Sequence, residues 1–314
     1  MGSIAAIRDA ILAGASGGEL AALELPDTFR ASVTLRSDID RVQRIPFDER
    51  DPRDSLHVRD IAVPELAPDE CLIAVMASCI NYNTVWSSTF HPLPTFEFLD
   101  RFARSGGWAA RHGQDFHVLG SDAAGVVLRC GSAVRTYRPG DRVVVHPTYV
   151  SGEDPAAHHD GMQGADQLVW GFETNYGGLA EFAVAKANQL LPKAPHLTWE
   201  EAAATTACNA TSYRMLISHH GAQMRLGDSV LLWGATGGIG AYGVQLTLAG
   251  HTHGGQVAVG GRSIFSTLYR YMLGPYQDGN STLFVTGGLG HWFPFRLGCP
   301  PEVVVLELRR GIPT

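Results

Sequence analysis

The glycine-rich segment GATGGIG at residues 234–240 constrains the fold of this 314-residue chain more than any other feature. It follows apolar residues 229–233, which predict a strand, and precedes a segment from Ala241 onward that predicts a helix. Glycine permits a tight reversal between the two elements because it adopts backbone conformations closed to other residues. The sequence therefore predicts a βα unit with a glycine-rich turn.

Such a turn can bind an anion. Its backbone N–H groups and the N-terminus of the following helix converge where the pyrophosphate of a dinucleotide would lie. The alternative is a tight βα turn with no ligand. The candidate cofactor-binding residues are Gly234, Ala235, Thr236, Gly237, Gly238, Ile239 and Gly240.

The part of the chain before this unit has a different character. From about residue 32 to residue 184 short β-type segments dominate, separated by turn sequences such as RPGD at 138–141. The clearest are residues 71–80, 125–130 and 141–150. From Thr198 the chain becomes alanine-rich, with Glu201 three residues after Thr198 as in a capping box. The order predicts a mostly β domain, then a long helix, then the βα unit.

Composition excludes several classes of protein. Hydrophobic residues make up 45% and charged residues 18%, which is typical of a globular chain. A net charge of -7 without a basic cluster argues against a nucleic-acid partner. The five scattered cysteines form no C-x-x-C pair, so they predict neither a disulfide framework nor a zinc ribbon, and they favour a reducing compartment. We therefore expect a cytoplasmic protein.

The amino terminus does not resemble a signal peptide. Arg8 and Asp9 interrupt its apolar segment, which predicts an amphipathic helix instead. No segment approaches the roughly 18 apolar residues of a membrane-spanning helix, so we expect no membrane partner.

Residues from about 20 to 245 closely resemble the crotonyl-CoA carboxylase/reductase family of the medium-chain dehydrogenase/reductase superfamily. The resemblance is carried by LPDTFRA (25–31), DPRDSLHV (51–58), AVMASCINYNTVWSSTF (74–90), GSDAAGVVLR (120–129), WGFETNYGGLAEFA (170–183) and LLWGATGGIGAYGVQ (231–245). It implies a GroES-like substrate domain, a Rossmann domain and NADP(H) as cofactor. It also implies an acyl-CoA thioester and CO2 as partners, with crotonyl-CoA converted to ethylmalonyl-CoA, and a homo-oligomeric assembly.

The same resemblance implies a site. Related alcohol dehydrogenases place a zinc-binding Cys where this chain has Asn81-Tyr82-Asn83, so zinc-free chemistry follows. The family's CO2 pocket carries over to Asn83, whose amide would hold CO2, to Phe172, which would shape the pocket, and to Glu173, which would act through an ordered water. The alternatives are an asparagine in a turn, a core phenylalanine and a surface glutamate in an ion pair. The family's fourth CO2 residue, a histidine, has no counterpart that we can identify.

The C-terminal segment resembles another family. Residues 246–257 and 271–308 are similar to the end of a calcineurin-like metallophosphoesterase, whose G-H-x-H motif would make His251 and His253 ligands of a divalent metal. The alternative is a pair of solvated loop histidines. The family's G-D-x-x-D and G-N-H-[DE] motifs do not occur in the sequence. Strands are predicted at 282–286 and 302–308.

We interpret the chain as a chimera of the α/β class with a mostly β part. A GroES-like β-rich domain with an N-terminal helix (1–205) precedes a truncated Rossmann βα unit (206–246) and a non-matching C-terminal β-rich segment (247–314). Residues 254–263 could stand in for the next Rossmann strand and bring Arg262 near an adenosine 2′-phosphate. The expected function is an NADPH-dependent enoyl-CoA reductase/carboxylase, impaired because half of the Rossmann domain is replaced. The alternatives are a metal-dependent phosphoesterase fragment and a catalytically inactive composite.

Overall fold

The computed structural model describes residues 2–225, 230, 232–234, 237–248, 258–259, 262–263, 274–278 and 281–285. Contacts between Cα atoms divide the chain into two units, Met1–Ala207 and Cys208–Thr314. The predicted domain boundary after residue 205 lies two residues before this division.

The first unit begins with two helices. α1 (Ile4–Leu12) buries Ile7 and Ile11, which lie one helical turn apart, and α2 (Gly17–Ala22) begins at a capping box formed by Ser16 and Glu19. The predicted N-terminal amphipathic helix is therefore confirmed.

Two antiparallel sheets form the body of this unit. The first is three-stranded in the order β2-β1-β4, and the second is five-stranded in the order β10-β6-β5-β3-β9. A separate pair, β7 and β8, is also antiparallel. The strands are β1 (Thr28–Leu35), β2 (His57–Ala62), β3 (Glu70–Ala77), β4 (Phe116–Val118), β5 (Ala123–Cys130), β6 (Arg142–Val145), β7 (Thr148–Tyr149), β8 (Leu168–Val169), β9 (Phe182–Lys186) and β10 (Leu190–Pro192). The three predicted β segments all contain strands.

The five-stranded sheet is buried on both faces. Successive residues of a strand point to opposite faces, so Leu72 and Ala74 of β3 join one apolar cluster with α1 and β1, whereas Cys71 and Ile73 join another with Trp170. Burial on both faces explains why these strands are continuously apolar in sequence.

Five further α-helices lie along the chain from residue 39 to residue 216. They are α3 (Ile39–Gln43), α4 (Tyr82–Thr89), α5 (Thr95–Ala103), α6 (Trp199–Ala203) and α7 (Thr206–Leu216). The predicted capping box at Thr198 and Glu201 is present, but the long helix predicted after it is divided into α6 and α7. The second helix starts anew because the Asp122 carboxylate accepts hydrogen bonds from the Thr206 hydroxyl and from the Ala207 N–H at 2.8 Å.

The second unit contains α8 (Gly238–Leu248) and two antiparallel strand pairs. The pairs are β11 (Ala258–Val259) with β12 (Arg262–Ser263), and β13 (Gly274–Asp278) with β14 (Ser281–Val285). β14 confirms the strand predicted at 282–286 to within one residue. The strand predicted at 302–308 lies outside the described residues.

The described residues depart from two predictions for this unit. Within the strand predicted at 229–233, Val230 and Leu232 belong to no strand and Trp233 lies in a turn, and residues 229 and 231 lie outside the described residues. Within the segment at 254–263, the described strands β11 and β12 do not continue a Rossmann sheet either. These strands are antiparallel and only two residues apart, whereas neighbouring parallel strands need a crossover of a dozen residues or more.

None of the helices among the described residues is both long and apolar enough to span a bilayer.

Candidate functional site

The segment Asn81-Tyr82-Asn83 lies where β3 gives way to α4. Asn81 takes an extended conformation as the residue before the helix, but its side chain does not cap the helix. Instead its Nδ2 donates to Asp122 Oδ2 at 2.6 Å. The side-chain amide of Asn81 is therefore hydrogen-bonded to the loop that precedes β5, the strand next to β3 in the sheet.

Asn83, the predicted CO2-binding residue, is the second residue of α4 and is partly buried. Its Nδ2 and Oδ1 lie 2.9 Å and 3.2 Å from the hydroxyl oxygen of Ser121, which is 1% exposed. The asparagine is thus not a turn residue, and its amide is held against one buried hydroxyl.

Asp122 follows Ser121 and is fully buried. Its carboxylate accepts hydrogen bonds from Asn81, from the Thr206 hydroxyl and from the Ala207 N–H. Burial raises the pKa of this carboxyl above its usual range, and these hydrogen bonds act in the opposite direction.

Phe172, the predicted pocket-shaping residue, is 5% exposed. Its ring centroid lies 6.4 Å from that of Trp86 and 6.1 Å from that of Phe98. Trp86 is three residues after Asn83 on α4, so the two side chains share one helix face. Trp86, Phe172 and Phe98 therefore form an aromatic wall, and Trp86 joins it from the face of α4 that also carries Asn83.

Glu173, the predicted water-binding carboxylate, is anchored locally. Its Oε2 accepts from the Val169 N–H at 2.8 Å, and its Oε1 lies 3.7 Å from Nη2 of Arg101 on α5. The Arg101 guanidinium also lies 5.1 Å from the Phe98 ring centroid. The carboxylate is thus in the ion pair that the alternative interpretation expected, with its side chain 18% exposed.

Two loops that carry residues of the candidate site pack closely against each other through their backbones. Gly171 has φ +67°, and a Cβ there would lie 1.9 Å from the Gly120 carbonyl oxygen. Gly120 precedes Ser121 and Gly171 precedes Phe172, so this contact sets the loop that carries Ser121 and Asp122 against the loop that carries Phe172 and Glu173.

Five residues of this arrangement were not predicted from the sequence: Trp86, Phe98, Arg101, Ser121 and Asp122. The signal for the last two was present in GSDAAGVVLR (120–129), where a polar pair stands directly before an apolar strand. Polar residues at the mouth of a buried strand need partners, which directs attention to that position.

The glycine-rich turn in the second unit has the predicted backbone character. Gly234 has φ +75°, the Gly237 N–H donates to the Gly234 carbonyl at 3.0 Å, and the Gly237 carbonyl accepts from Ala241 at 2.8 Å. Gly237, Gly238 and Ile239 are exposed, and Gly240 is partly buried. A Cβ on Gly238 would lie 2.6 Å from Cys208 Sγ, so that glycine permits close packing.

The remaining predicted site residues are Ala235, Thr236, His251 and His253, and they lie outside the described residues. Across the described part of the chain, no group of three or more His, Cys, Asp or Glu side chains could hold a metal ion.

The chain is similar to several known proteins. The alcohol dehydrogenase GroES-like domain family matches residues 67–195. Crotonyl-CoA reductase from Streptomyces avermitilis is 50% identical over 236 residues, which is 75% of this chain and 53% of that protein. Crotonyl-CoA carboxylase/reductase from Cereibacter sphaeroides is 36% identical over 197 residues, or 62% of this chain and 43% of that protein.

A solved structure that is similar to this chain is a protein of the same kind as these relatives. A 2-octenoyl-CoA carboxylase reductase from a Streptomyces species, solved with NADP and 2-octenoyl-CoA, is 55% identical with a TM-score of 0.74, covering 77% of this chain and 54% of that one. The chain spans about half the length of the relatives it matches. The predicted α/β fold class, with a GroES-like β-rich domain before a Rossmann-like part, is confirmed.

Proposed function

We propose, on the premise that residues 67–195 match the alcohol dehydrogenase GroES-like domain family, that the chain catalyses the NADPH-dependent reductive carboxylation of an enoyl-CoA thioester. The relatives named above are crotonyl-CoA reductases and carboxylase/reductases, and one was solved with NADP and an enoyl-CoA. The observation that carries the proposal is the Asn83 amide, which is held on Ser121 and lies on the same helix face as Trp86 of the aromatic wall.

The glycine turn fits a dinucleotide. Gly237 and Gly238 are exposed, and the atom nearest to a Cβ on Gly237 is the Gly234 carbonyl oxygen at 3.5 Å, so a ligand can approach the backbone there. The eleven-residue helix α8 begins at Gly238 and directs its N-terminal N–H groups to the turn. NADPH, when bound at this turn, supplies the hydride for the β-carbon of the enoyl thioester.

The residues around Asn83 decide what happens next. Hydride addition leaves an enolate whose α-carbon attacks either CO2 or a proton. CO2 is neutral, with an electrophilic carbon and weakly basic oxygens, so the Asn83 N–H groups can hold its oxygens and orient its carbon toward the enolate. The new carbon–carbon bond converts CO2 to a carboxylate, whose negative charge the same amide stabilises.

The aromatic wall determines the ratio of products. Water reaching the enolate would protonate it and give the simple reduced thioester. Trp86 and Phe172 exclude water from one side of the Asn83 amide, and therefore favour carboxylation. Glu173 has one oxygen on the Val169 N–H and the other facing Arg101, so it serves as a fixed carboxylate that orders water at the edge of the wall.

A reduced rate is part of the proposal. The Rossmann sheet of this superfamily is parallel, whereas the described strand pairs of the second unit, β11 with β12 and β13 with β14, are both antiparallel. We therefore expect slower turnover than in the relatives named above. The phosphoesterase alternative depends on His251 and His253, and metal analysis of the purified protein would refute it if no Mn, Fe or Zn is bound.

A cytoplasmic location and a homo-oligomeric assembly complete the proposal. The first rests on the scattered cysteines, and the second on the resemblance to the carboxylase/reductase family. Size-exclusion chromatography with light scattering tests the assembly, because a monomer would refute it.

Product analysis tests the proposed function. The purified chain is incubated with crotonyl-CoA, NADPH and ¹³C-bicarbonate, and the thioesters are analysed by mass spectrometry. The proposal predicts ethylmalonyl-CoA carrying one ¹³C atom. Butyryl-CoA as the sole product would reduce the function to a simple enoyl reductase.

A further inference from the structure

Two consecutive buried residues hold both asparagines of the Asn81-Tyr82-Asn83 segment. Ser121 is 1% exposed and Asp122 is fully buried. The Asn81 Nδ2 lies 2.6 Å from Asp122 Oδ2 and 3.4 Å from Ser121 Oγ, and Ser121 Oγ in turn lies within hydrogen-bond distance of the Asn83 amide. These contacts form one chain of hydrogen bonds from Asp122 to Asn83.

The direction of this chain follows from the chemistry of its first member. An ionised carboxylate only accepts hydrogen bonds, so Asn81 must turn its NH2 group, and not its carbonyl, toward Asp122. The second hydrogen of the same NH2 group then points at Ser121 Oγ. A hydroxyl has a single hydrogen to donate, and with Asn81 on its acceptor side that hydrogen is available to the carbonyl oxygen of Asn83.

The last member of this series of hydrogen bonds is the Asn83 amide, the group that would contact the ligand. With Oδ1 of Asn83 accepting from Ser121 at 3.2 Å, one hydrogen on its Nδ2 faces Ser121 Oγ at 2.9 Å and the other is available to donate toward a ligand. If the Ser121 hydroxyl hydrogen did not bind the carbonyl oxygen of Asn83, that oxygen could turn toward the ligand, where it would repel the oxygens of CO2 and of the carboxylate that forms from them.

We propose that Ser121 and Asp122 are positioning residues that make Asn83 a hydrogen-bond donor at the carboxylation site. This inference rests on the proposed function, and it adds the reason why the Asn83 amide presents its NH2 group, and not its carbonyl oxygen, to the ligand. The Asp122 backbone is itself fixed, because its carbonyl accepts from the Ser78 hydroxyl at 2.7 Å at the end of β3.

The test compares three variants of the full chain. Ser121→Ala removes the relay, and Asp122→Asn keeps the shape of the side chain but lets it donate as well as accept. Ser88→Ala is the control, because Ser88 is a buried serine on the same helix as Asn83 whose hydroxyl donates to the Val85 carbonyl. The readout is the ratio of carboxylated to reduced thioester, with the KM for CO2.

We expect the ratio to fall about tenfold in Ser121→Ala and in Asp122→Asn, the size of one lost hydrogen bond in the transition state, while NADPH consumption continues. Ser88→Ala should keep the wild-type ratio. An unchanged ratio in Ser121→Ala, from a wild-type chain that carboxylates, would overturn the inference.

A second readout does not depend on turnover. In ¹⁵N-labelled protein the side-chain NH2 signals of Asn83, assigned with Asn83→Gln, should shift in Ser121→Ala and in Asp122→Asn but not in Ser88→Ala. If the wild-type chain forms no carboxylated product, the proposed function fails, and the shifts alone then decide whether the chain of hydrogen bonds exists. Signals that stay in place in both variants would overturn it.

Discussion

The carbonyl oxygen of Gly120 lies against the α-carbon of Gly171, in the space that a side chain at Gly171 would occupy. The residues that follow these two glycines in sequence are Ser121 and Phe172, which carry the candidate site. The site is therefore assembled by a close approach of two loops, and its groups come from segments about fifty residues apart.

Replacing Gly171 should separate these loops. A Cβ at Gly171 would lie 1.9 Å from the Gly120 oxygen, and its φ of +67° strains any L-residue. We expect Gly171→Ala to lower the free energy of unfolding by at least ~3 kcal/mol, measured by urea denaturation. Gly18→Ala is the control, because Gly18 lies in α2 with no atom within 4 Å of its Cβ position. Equal stability of the two variants would show that the loops do not approach as described.

Removing the Asn83 amide should separate carboxylation from reduction. Leucine is close in size but cannot donate to CO2, so we expect Asn83→Leu to lower the carboxylated product at least ~30-fold while simple reduction is spared. Product ratios from ¹³C-bicarbonate provide the measurement, and Asn188→Leu, at an exposed asparagine, is the control. Equal loss of both products would count against a CO2-binding role.

A charge at the glycine turn should prevent nucleotide binding. Gly237→Asp places a carboxylate beside the expected pyrophosphate, and repulsion between the two anions should weaken NADPH binding at least ~30-fold in a fluorescence titration. Gly18→Asp adds the same charge in the first unit and should leave the affinity unchanged. Wild-type affinity in Gly237→Asp would refute the assignment of the turn.

His117 should make the stability depend on pH. It is fully buried on β4, and burial lowers its pKa to about 4, compared with about 6.5 in an unfolded chain. Between these values the unfolded chain binds more protons than the folded one, so the free energy of unfolding falls as the pH falls. From pH 7.5 to pH 5.5 this group should remove about 1.3 kcal/mol.

Denaturation at several pH values with His117→Gln tests this expectation. The substitution should remove that share of the pH dependence, whereas His158→Gln, at an exposed histidine, should keep it. Burial also lowers the pKa of His112, to about 3, so part of the dependence should remain in His117→Gln. A dependence as steep as that of the wild-type chain would contradict the assignment to His117.

Local patterns in the sequence predicted much of the first unit. The amphipathic helix α1, the strands β3, β5 and β6, and the capping box at Thr198 each depend on residues close together in the chain. The break between α6 and α7 could not be predicted in this way, because its cause is Asp122, which lies 84 residues before Thr206.

The candidate site shows the same limit. Resemblance to a family indicated Asn83, Phe172 and Glu173, but their contacts with Ser121, Trp86 and Arg101 arise only when distant segments pack together. Within the strand expected at 229–233, Val230, Leu232 and Trp233 belong to no strand, and an apolar segment becomes a strand only when another strand pairs with it.

NADPH consumption that depends on an enoyl-CoA is the most direct test of the central claim. Folded, monodisperse protein is given NADPH with and without crotonyl-CoA, in the presence of bicarbonate, and absorbance is followed. We expect slow oxidation of NADPH that requires both the protein and crotonyl-CoA. If the rate of NADPH oxidation with crotonyl-CoA does not exceed the background rate measured without it, the result would contradict the central claim and leave the chain as an inactive composite.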